Sequence, residues 1–581
     1  MSSRIGLSAL AVALAAFPAL AVERVNLWPA GRMPDAQDHQ VALPTDRLKD
    51  EGFRRGERNL PYLEWCDAPA AEGRTDVCMI LISGGAYGCW CDIGLVDFWA
   101  QRFTAMGVQC VKLVYRTPRP KGLPIHQSAW EDGQRAVRLV RADAAKRGYG
   151  PEKIGVISKS AGSHLATLLA TSSQTPAYAP VDELDRTVPC HVNWALPNAI
   201  AYALMDGIGD PNSTGGNGPG VKLDSIFKFD SRTCPMCMTH GGMDPYSPIA
   251  STFVYRRLRQ MGVPAEVHVY PDKPHGAFGF DRQVEFMRQM GYLGPVGAEV
   301  ELMSRFTGDA ARGDYVRRDL WPAGRMPSAQ TNQCAPYLEW HCPRQLRTKA
   351  IQIVYSGGGY YGNDPDGFEV APVRRFLNEK GMTVVTMKYR TPRPPKEAGL
   401  EKHVTAWQDL QRLVRLVREE APGRGLDPDR IGIMGSSAGG HLTLMGVTSS
   451  SKRAYEPIDE TDRIPCNVQW AVAIYPAYAL TDGVDWHNRT GGNDDAAVHV
   501  PEFAFDAGTC PTLFIHGDAD GWAAMNSVKT WERMRRMGVQ GELHTLATRS
   551  HCFQRTASPG TGSYTWIDRI WEFLSDKGFN R

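Results

Sequence analysis

The chain has 581 residues, with 65 lysines and arginines against 63 aspartates and glutamates, so its net charge is +2. This near-neutral balance gives no reason to expect nucleic acid or an anionic membrane as a partner. The length exceeds that of a single domain of about 100–200 residues and predicts several domains.

Residues 1–21 have the pattern of a secretory signal peptide. Arg4 supplies the positive charge, residues 5–16 are almost all apolar, and Ala19-Leu20-Ala21 is a small-residue cleavage site. The apolar run is short for a membrane span, which needs about 20 residues. We therefore expect cleavage after Ala21, a secreted or periplasmic location, and no membrane span in the mature protein.

The rest of the chain contains one sequence pattern twice. The string LWPAGRMP at residues 27–34 returns at residues 320–327, and Ser160-Ala161-Gly162 returns as Ser437-Ala438-Gly439. The period is far too long for a solenoid or propeller unit and has the size of a whole domain. We predict a first domain over residues 22–293 (copy one), a linker over 294–317, and a second domain over 318–581 (copy two).

Short apolar runs alternate with helical patterns along each copy. In copy one, strands are predicted at residues 78–82, 108–114, 154–157, 192–196 and 236–240, and helices at residues 130–145 and 161–171. This alternation predicts an α/β fold, a mostly parallel sheet with helices on both faces. In such sheets the functional residues lie at the carboxyl ends of the strands.

A candidate nucleophile sits between a predicted strand and a predicted helix. Gly435-Ser436-Ser437-Ala438-Gly439 follows the strand at residues 431–434 and opens a helix, as a G-x-S-x-G nucleophile turn does. Copy one offers Ser160 in the same context but has Ser158 in place of the first glycine. We predict that Ser437 and Ser160 are both nucleophiles.

A nucleophilic serine needs a base and an acid that orients the base. Asp244 and His275 follow Ser160 in the order Ser, Asp, His, and Asp520 and His551 follow Ser437, with the base 31 positions after the acid in both copies. Asp518 is a rival acid, but copy one has Gly242 at that position. The shared aspartates are therefore the predicted triad members.

The tetrahedral intermediate of acyl transfer also needs hydrogen-bond donors for its oxyanion. A glycine-rich loop follows the first core strand of each copy, at residues 83–87 and 356–360. Its backbone N–H groups, with that of the residue after the serine, are the expected donors. The predicted oxyanion residues are Gly85, Ala86, Ala161, Gly358, Gly359 and Ala438.

Taken together, these motifs resemble the α/β-hydrolase esterases of the bacterial acetylxylan and feruloyl esterase-like branch. The matching motifs of copy two are the loop at residues 357–360, Tyr389-Arg390, the elbow through His441, and His551; Cys552 departs from the family's glycine. The resemblance implies two tandem α/β-hydrolase domains that remove small acyl groups, usually acetyl, from a poly- or oligosaccharide. The mechanism needs no metal and no organic cofactor.

Three alternatives remain open. One copy could be a catalytically silent binding or scaffolding module. The chain could instead be a serine peptidase on the same fold, although no propeller repeats are evident. It could also be a lipase, although the insertion in copy one at residues 38–60 is too charged to suggest an apolar lid.

Several further residues carry structural predictions. Ion pairs near the surface or behind the site are expected at Asp132 with Arg135 and at Asp409 with Arg412. Aromatic side chains that could stack on a sugar ring, or equally pack in the core, are Trp65, Trp90 and Trp340. His164 and His441, one turn beyond the serines, are expected to be packed.

Two pairs of cysteines recur at the same spacing in both copies, before predicted neighbouring strands. They predict the disulfides Cys190–Cys234 and Cys466–Cys510, since neighbouring strands are about 4.8 Å apart. Cys234 also begins a C-x-x-C motif with Cys237, which has no counterpart in copy two. We interpret Cys237 as a structural or free thiol.

Overall fold

The computed structural model describes residues 23–36, 53–54, 61–66, 73–205, 216–218, 220–294, 315–481, 496–556 and 562–581. The predicted signal peptide, most of the predicted linker and most of the charged insertion of copy one lie outside these residues. The first strand of copy two begins at Tyr315, near the end of the predicted linker. None of the described helices is both long and apolar enough to cross a membrane.

The strands of copy one are β1 (Glu23–Asn26), β2 (Phe53–Arg54), β3 (Tyr62–Cys66), β4 (Cys78–Ile82), β5 (Trp90–Cys91), β6 (Gln109–Val114), β7 (Ile154–Lys159), β8 (Trp194–Asn198), β9 (Met236–Gly241) and β10 (Ala265–Tyr270). The strands of copy two are β11 (Tyr315–Asp319), β12 (Tyr337–His341), β13 (Ile351–Tyr355), β14 (Thr383–Lys388), β15 (Ile431–Ser436), β16 (Trp470–Ile474), β17 (Thr512–Gly517) and β18 (Glu542–Leu546). The predicted strands of copy one are all present, with ends shifted by up to two residues.

The helices of copy one are α1 (Ile93–Ala105), α2 (Gln127–Ala142), α3 (Ala144–Arg147), α4 (Ala161–Thr171), α5 (Glu183–Thr187), α6 (Ile249–Gln260) and α7 (Phe280–Gln289). The helices of copy two are α8 (Ala371–Glu379), α9 (Val404–Glu420), α10 (Ala438–Thr448), α11 (Met525–Arg536) and α12 (Trp566–Asp576). The helix predicted at residues 130–145 is α2 followed by α3, and α4 has its predicted bounds.

The main sheet has 16 strands in the order β1-β3-β6-β4-β7-β8-β9-β10-β18-β17-β16-β15-β13-β14-β12-β11. Each copy contributes eight strands in the same order, parallel except at its outer edge, where β1 and β3 or β11 and β12 run antiparallel to their neighbours. The predicted mostly parallel α/β fold is therefore confirmed. A separate two-stranded ribbon pairs β2 with β5.

The two sheets are joined edge to edge by the last strand of each copy. Strands β10 and β18 pair antiparallel, with His268 opposite His544, and these histidines occupy equivalent positions in the repeat. An approximate two-fold axis therefore passes through this pair. The pairing also removes two free sheet edges, which would otherwise present unpaired backbone groups to other chains.

A buried chain of hydrogen bonds crosses this junction. The Nδ1 atoms of His268 and His544 are 2.8 Å apart, His268 Nε2 is 2.9 Å from the Glu266 carboxylate, and His544 Nε2 is 2.6 Å from that of Glu542. Burial lowers the pKa values of both histidines and raises the pKa of Glu542 to about 8. With both histidines neutral and Glu542 protonated below about pH 8, we infer one order of donors: Glu542 donates to His544, His544 to His268, and His268 to Glu266.

The predicted disulfides are wrong, because all 13 cysteines are free thiols in the described structure. The expected parallel neighbours do pair, but Ala195 lies opposite Met236, so Cys190 is three residues out of step with Cys234. Three residues of extended chain span about 10 Å, beyond the reach of a disulfide. The Cys190 thiol instead donates to the Ser173 carbonyl, as Cys466 does to that of Ser450.

The predicted pairing of Asp132 with Arg135 is also wrong. Asp132 is fully buried and binds Arg116 at 3.0 Å, while Arg135 binds Asp182 and Asp185. The Trp28 indole donates to Asp132 as well. The same contacts recur in copy two, where Asp409 binds Arg390, and Arg412 binds Asp459 and Asp462. These charged side chains are therefore not surface pairs. They connect the N-terminal segment of each copy to α2 or α9.

The proton order at the junction can be tested with the variant Glu542→Gln. The glutamine side-chain amide can still donate a hydrogen bond to His544, but it does not ionise in this pH range. Between the unfolded pKa of glutamate and about 8, native Glu542 holds a proton that the unfolded chain lacks, so its stabilising effect is lost as the pH rises across that window. The free energy of unfolding of the wild type, relative to the variant, should fall by about 1.4 kcal/mol per pH unit from pH 5 to 8.

Chemical denaturation at half-unit steps between pH 5 and 9 measures this difference. Both proteins should lose stability below about pH 6.5, where unfolded histidines take up protons that His268 and His544 do not. Two stability curves that stay parallel across the whole range would contradict the proposed proton order.

Candidate active site

Both candidate nucleophiles lie on strained turns between a strand and a helix. Ser160 follows β7 and precedes α4 with φ 58° and ψ −125°, and Ser437 follows β15 and precedes α10 with φ 56° and ψ −119°. A non-glycine residue rarely has positive φ, so the fold imposes this conformation. The two turns have nearly the same geometry, although copy one lacks the first glycine of the motif.

Close backbone contacts explain why the turn of copy two needs glycines. A Cβ on Gly439 would lie 2.6 Å from the Ser356 carbonyl oxygen, and one on Gly435 would lie 2.3 Å from that of Gly439. Copy one has Ser158 where copy two has Gly435, and Ser163 where copy two has Gly440. The two hydroxyls are 3.0 Å apart and share a hydrogen bond, so the replacements form a matched pair.

Each serine is the end of a hydrogen-bonded row. In copy one, His275 Nε2 is 2.9 Å from Ser160 Oγ, and His275 Nδ1 is 2.7 Å from Asp244. In copy two, the His551 imidazole is 2.8 Å from Ser437 Oγ and 2.7 Å from Asp520. In each copy, the structure thus brings together the three residues that the sequence predicts as triad members.

The aspartate of each row is buried and held from several sides. In copy one, the Tyr246 backbone N–H donates to Asp244, and His240 Nε2 lies 3.3 Å from the same carboxylate. Burial by itself would raise the pKa of Asp244, but the adjacent imidazoles of His240 and His275 outweigh it and hold that pKa well below its usual range. His516 and His551 do the same for Asp520. Both carboxylates are therefore ionised and can accept from the imidazole.

The support from His240 and His516 is the contribution that sequence reasoning missed. Both histidines lie four residues before the aspartate, and this spacing in both copies was the available signal.

Asp518, the rival acid, has a different role. Its carboxylate accepts from the Tyr255 hydroxyl at 2.8 Å and pairs with Arg259 at 2.6 Å, and both partners belong to copy one. It therefore joins the two copies and takes no part in the triad of copy two.

The glycine-rich loop of each copy packs directly on the nucleophile. A Cβ added to Gly84 would lie 2.9 Å from Ser160 Cβ, and one added to Gly357 would lie 2.7 Å from Ser437 Cβ. The next residues have positive φ: Gly85 at 123° and Ala86 at 53° in copy one, and Gly358 at 109° and Gly359 at 62° in copy two. The predicted oxyanion residues thus belong to the loop that packs on each serine, except Ala161 and Ala438, which directly follow the serines at the helix starts.

Two buried tyrosines hold each loop. In copy two, Tyr389 donates to the Ser356 and Gly357 carbonyls, and the Tyr360 hydroxyl is 2.8 Å from His441 Nδ1. Tyr115, Tyr87 and His164 make the same contacts in copy one. The predicted packing role of both histidines is confirmed, and it explains the shared Tyr-Arg and Ser-Ala-Gly-x-His patterns.

A cavity of about 510 Å³ opens at the nucleophile of copy two. Its walls include Ser437, His551, Tyr361 and the loop at residues 356–359. Glu369 also lines it and accepts from the Gly357 N–H at 2.7 Å and from the Tyr475 hydroxyl at 2.8 Å. In copy one, the glycine-rich loop is followed by Cys89, Trp90 and Cys91. The two sites therefore differ in the residues that follow the loop.

The described residues hold one cluster that could bind a metal ion: Cys237, Glu266 and His268, whose ligand atoms lie within 4.8 Å of one another. These side chains lie at the junction of the two sheets rather than at either serine. Arg282 and Arg569 are close enough to contribute to the lowered pKa of His268. Their positive charges count against a cation at this place.

The strand order of each copy and its serine turn between strand and helix define an α/β-hydrolase fold. The BD-FAE family model matches residues 67–195 and 338–531, together more than half of the chain. The chain belongs to this family.

Several curated proteins are similar to the chain. An acetylxylan esterase of Xylanibacter ruminicola is 31% identical over 236 residues, which cover 38% of this chain and 43% of that protein. Endo-1,4-beta-xylanase B of Butyrivibrio fibrisolvens is 26% identical over 209 residues, 34% of this chain and 32% of that protein. Each match spans less than half of the relative's length.

Among solved structures, the acetyl ester-xyloside bifunctional hydrolase of Caldicellulosiruptor lactoaceticus is 23% identical, with a TM-score of 0.39 over 47% of this chain and 100% of that one.

The assignment of the acid can be tested by comparing Asp520→Asn with Asp518→Asn. Both variants are made in a Ser160→Ala background, so that copy two alone carries an intact row. Asparagine at 520 should lower kcat on p-nitrophenyl acetate by about 10⁴, because it favours the wrong imidazole tautomer. Asparagine at 518 should lower the unfolding temperature and keep most of the activity. Equal losses of kcat in the two variants would refute the assignment.

Proposed function

We propose that this protein is a serine carboxylic ester hydrolase that removes small acyl groups, above all acetyl, from a carbohydrate. One observation carries the proposal. In both copies, a hydrogen-bonded row of serine, histidine and aspartate lies beside a glycine-rich loop whose residues have positive φ. Its membership of the BD-FAE family supports the same reaction class.

In the proposed mechanism, Oγ of Ser160 or Ser437 attacks the ester carbonyl while the Nε2 atom of His275 or His551 accepts its proton. The aspartate accepts from Nδ1–H and stabilises the imidazolium that forms. Backbone N–H groups of the glycine loop and of Ala161 or Ala438 bind the oxyanion. The imidazolium then protonates the leaving alcohol, and water hydrolyses the acyl-enzyme by the same steps.

A carbohydrate substrate is supported by the relatives, which include an acetylxylan esterase and a xylanase. Hydrolysis of such a polymer would take place outside the cytoplasm, which fits the signal-peptide pattern of residues 1–21. Export and acetyl specificity are parts of the proposal.

Activity of both copies is tested with the single variants Ser160→Ala and Ser437→Ala and with the double variant. Each single variant should lose part of the turnover of p-nitrophenyl acetate, because the other row stays intact. The double variant should lose at least about 10³-fold, since the serine and histidine act as a unit. Loss of all turnover in Ser437→Ala alone would make copy one a silent module. A fully active double variant would refute the mechanism.

Acyl specificity is tested with p-nitrophenyl esters of increasing chain length and with acetylated xylan. We expect the highest kcat/KM for acetate and propionate and measurable release of acetate from the polymer. A site built for long chains would gain about 0.8 kcal/mol per buried methylene, or about fourfold in kcat/KM. A rate that rises steadily to chains of eight carbons would therefore favour a lipase instead.

A further inference from the structure

The three tryptophans considered for sugar stacking have no exposed ring face to offer. Trp65, Trp90 and Trp340 are all buried in the core. A different aromatic residue, Tyr361, lines the cavity of copy two and is 61% exposed.

Tyr361 lies next to the reacting centre. It follows the glycine loop directly, and its backbone N–H donates to the Gly358 carbonyl at 2.9 Å. A Cβ built on Gly359 would lie 3.5 Å from the Tyr361 ring. A group resting on this ring would therefore adjoin the loop expected to bind the oxyanion.

The ring is held in place from one side. The Arg393 guanidinium lies 4.2 Å from the ring centroid and donates a hydrogen bond to the Tyr361 hydroxyl. Arg393 lies over one face, and the tyrosine side chain as a whole remains 61% exposed. A fixed, open aromatic face is suited to the apolar C–H face of a sugar ring.

The two copies differ at this position. Gly88 of copy one occupies the same turn, since its N–H donates to the Gly85 carbonyl at 2.8 Å. Copy one keeps the arginine, as Arg119, but has glycine in place of the tyrosine. The tyrosine thus belongs to the surroundings of the second site alone.

We propose that Tyr361 is a sugar-stacking residue that positions the glycan part of the substrate at the nucleophile of copy two. The inference rests on the proposed function and assigns carbohydrate recognition to one of the two sites. It makes copy two the copy that acts on glycan esters, because copy one has Gly88 at the position of this tyrosine.

The test uses the full chain with Ser160→Ala, so that only copy two turns over. Tyr361→Ala should raise KM for an acetylated xylo-oligosaccharide about tenfold, equivalent to about 1.4 kcal/mol of lost stacking, with little change in kcat. The effect on p-nitrophenyl acetate, which has no sugar, should be much smaller. Tyr361→Trp keeps an aromatic face and should restore the low KM. Tyr315→Ala, an exposed tyrosine on the edge strand β11, is the matched control.

An unchanged KM for the oligosaccharide in Tyr361→Ala would overturn the proposal. Equal rises of KM on both substrates would also overturn it, because they would indicate a disturbed glycine loop rather than lost sugar contact. An inactive Ser160→Ala parent would refute the esterase proposal for copy two.

Binding can be measured even without turnover. With both serines replaced by alanine, calorimetry with unmodified xylo-oligosaccharide should show weaker binding when Tyr361 becomes alanine. Equal affinity in the two proteins would count against the platform whether or not the protein is an esterase.

Discussion

The site of each copy depends on the direct packing of a glycine-rich loop on a strained serine turn. Gly84 and Gly357 approach the serines so closely that a Cβ would lie less than 3 Å away. This contact fixes the position of the loop N–H groups relative to Oγ. The buried tyrosines, the histidines one turn along the helix and the left-handed backbone all serve to maintain it, which explains why these residues recur in both copies.

Around this shared centre the two copies have diverged. Copy two has a cavity with Glu369 on the Gly357 N–H and Tyr361 at the rim, whereas copy one has cysteines and a buried tryptophan after its loop. The hydrogen-bond distances within the two Ser-His-Asp rows agree within 0.1 Å. The two sites therefore share the hydrogen-bonded rows and differ in the residues that follow the glycine-rich loops.

The edge-to-edge joining of the sheets makes one continuous structure from two repeats. The pairing of His268 with His544 places equivalent residues on an approximate two-fold axis. Asp518 adds a contact with Tyr255 and Arg259, and at the equivalent place on the other side Arg535 donates to the Gly242 carbonyl. The junction lies beside β9 and β17, whose carboxyl ends lead to the triad aspartates. The stability of the junction and the geometry of both sites are thus physically linked.

The sequence by itself determined the repeat, the alternation of strands and helices, and the six residues of the two rows. These signals are local: a period, a glycine next to a serine, a constant spacing in both copies. Only the tertiary structure decided which residues meet across strands. Register placed Cys190 out of reach of Cys234, packing buried Asp132 against Arg116, and the edge pairing of β10 with β18 joined the copies. Each of these depends on contacts between distant segments, which spacing along one chain does not encode.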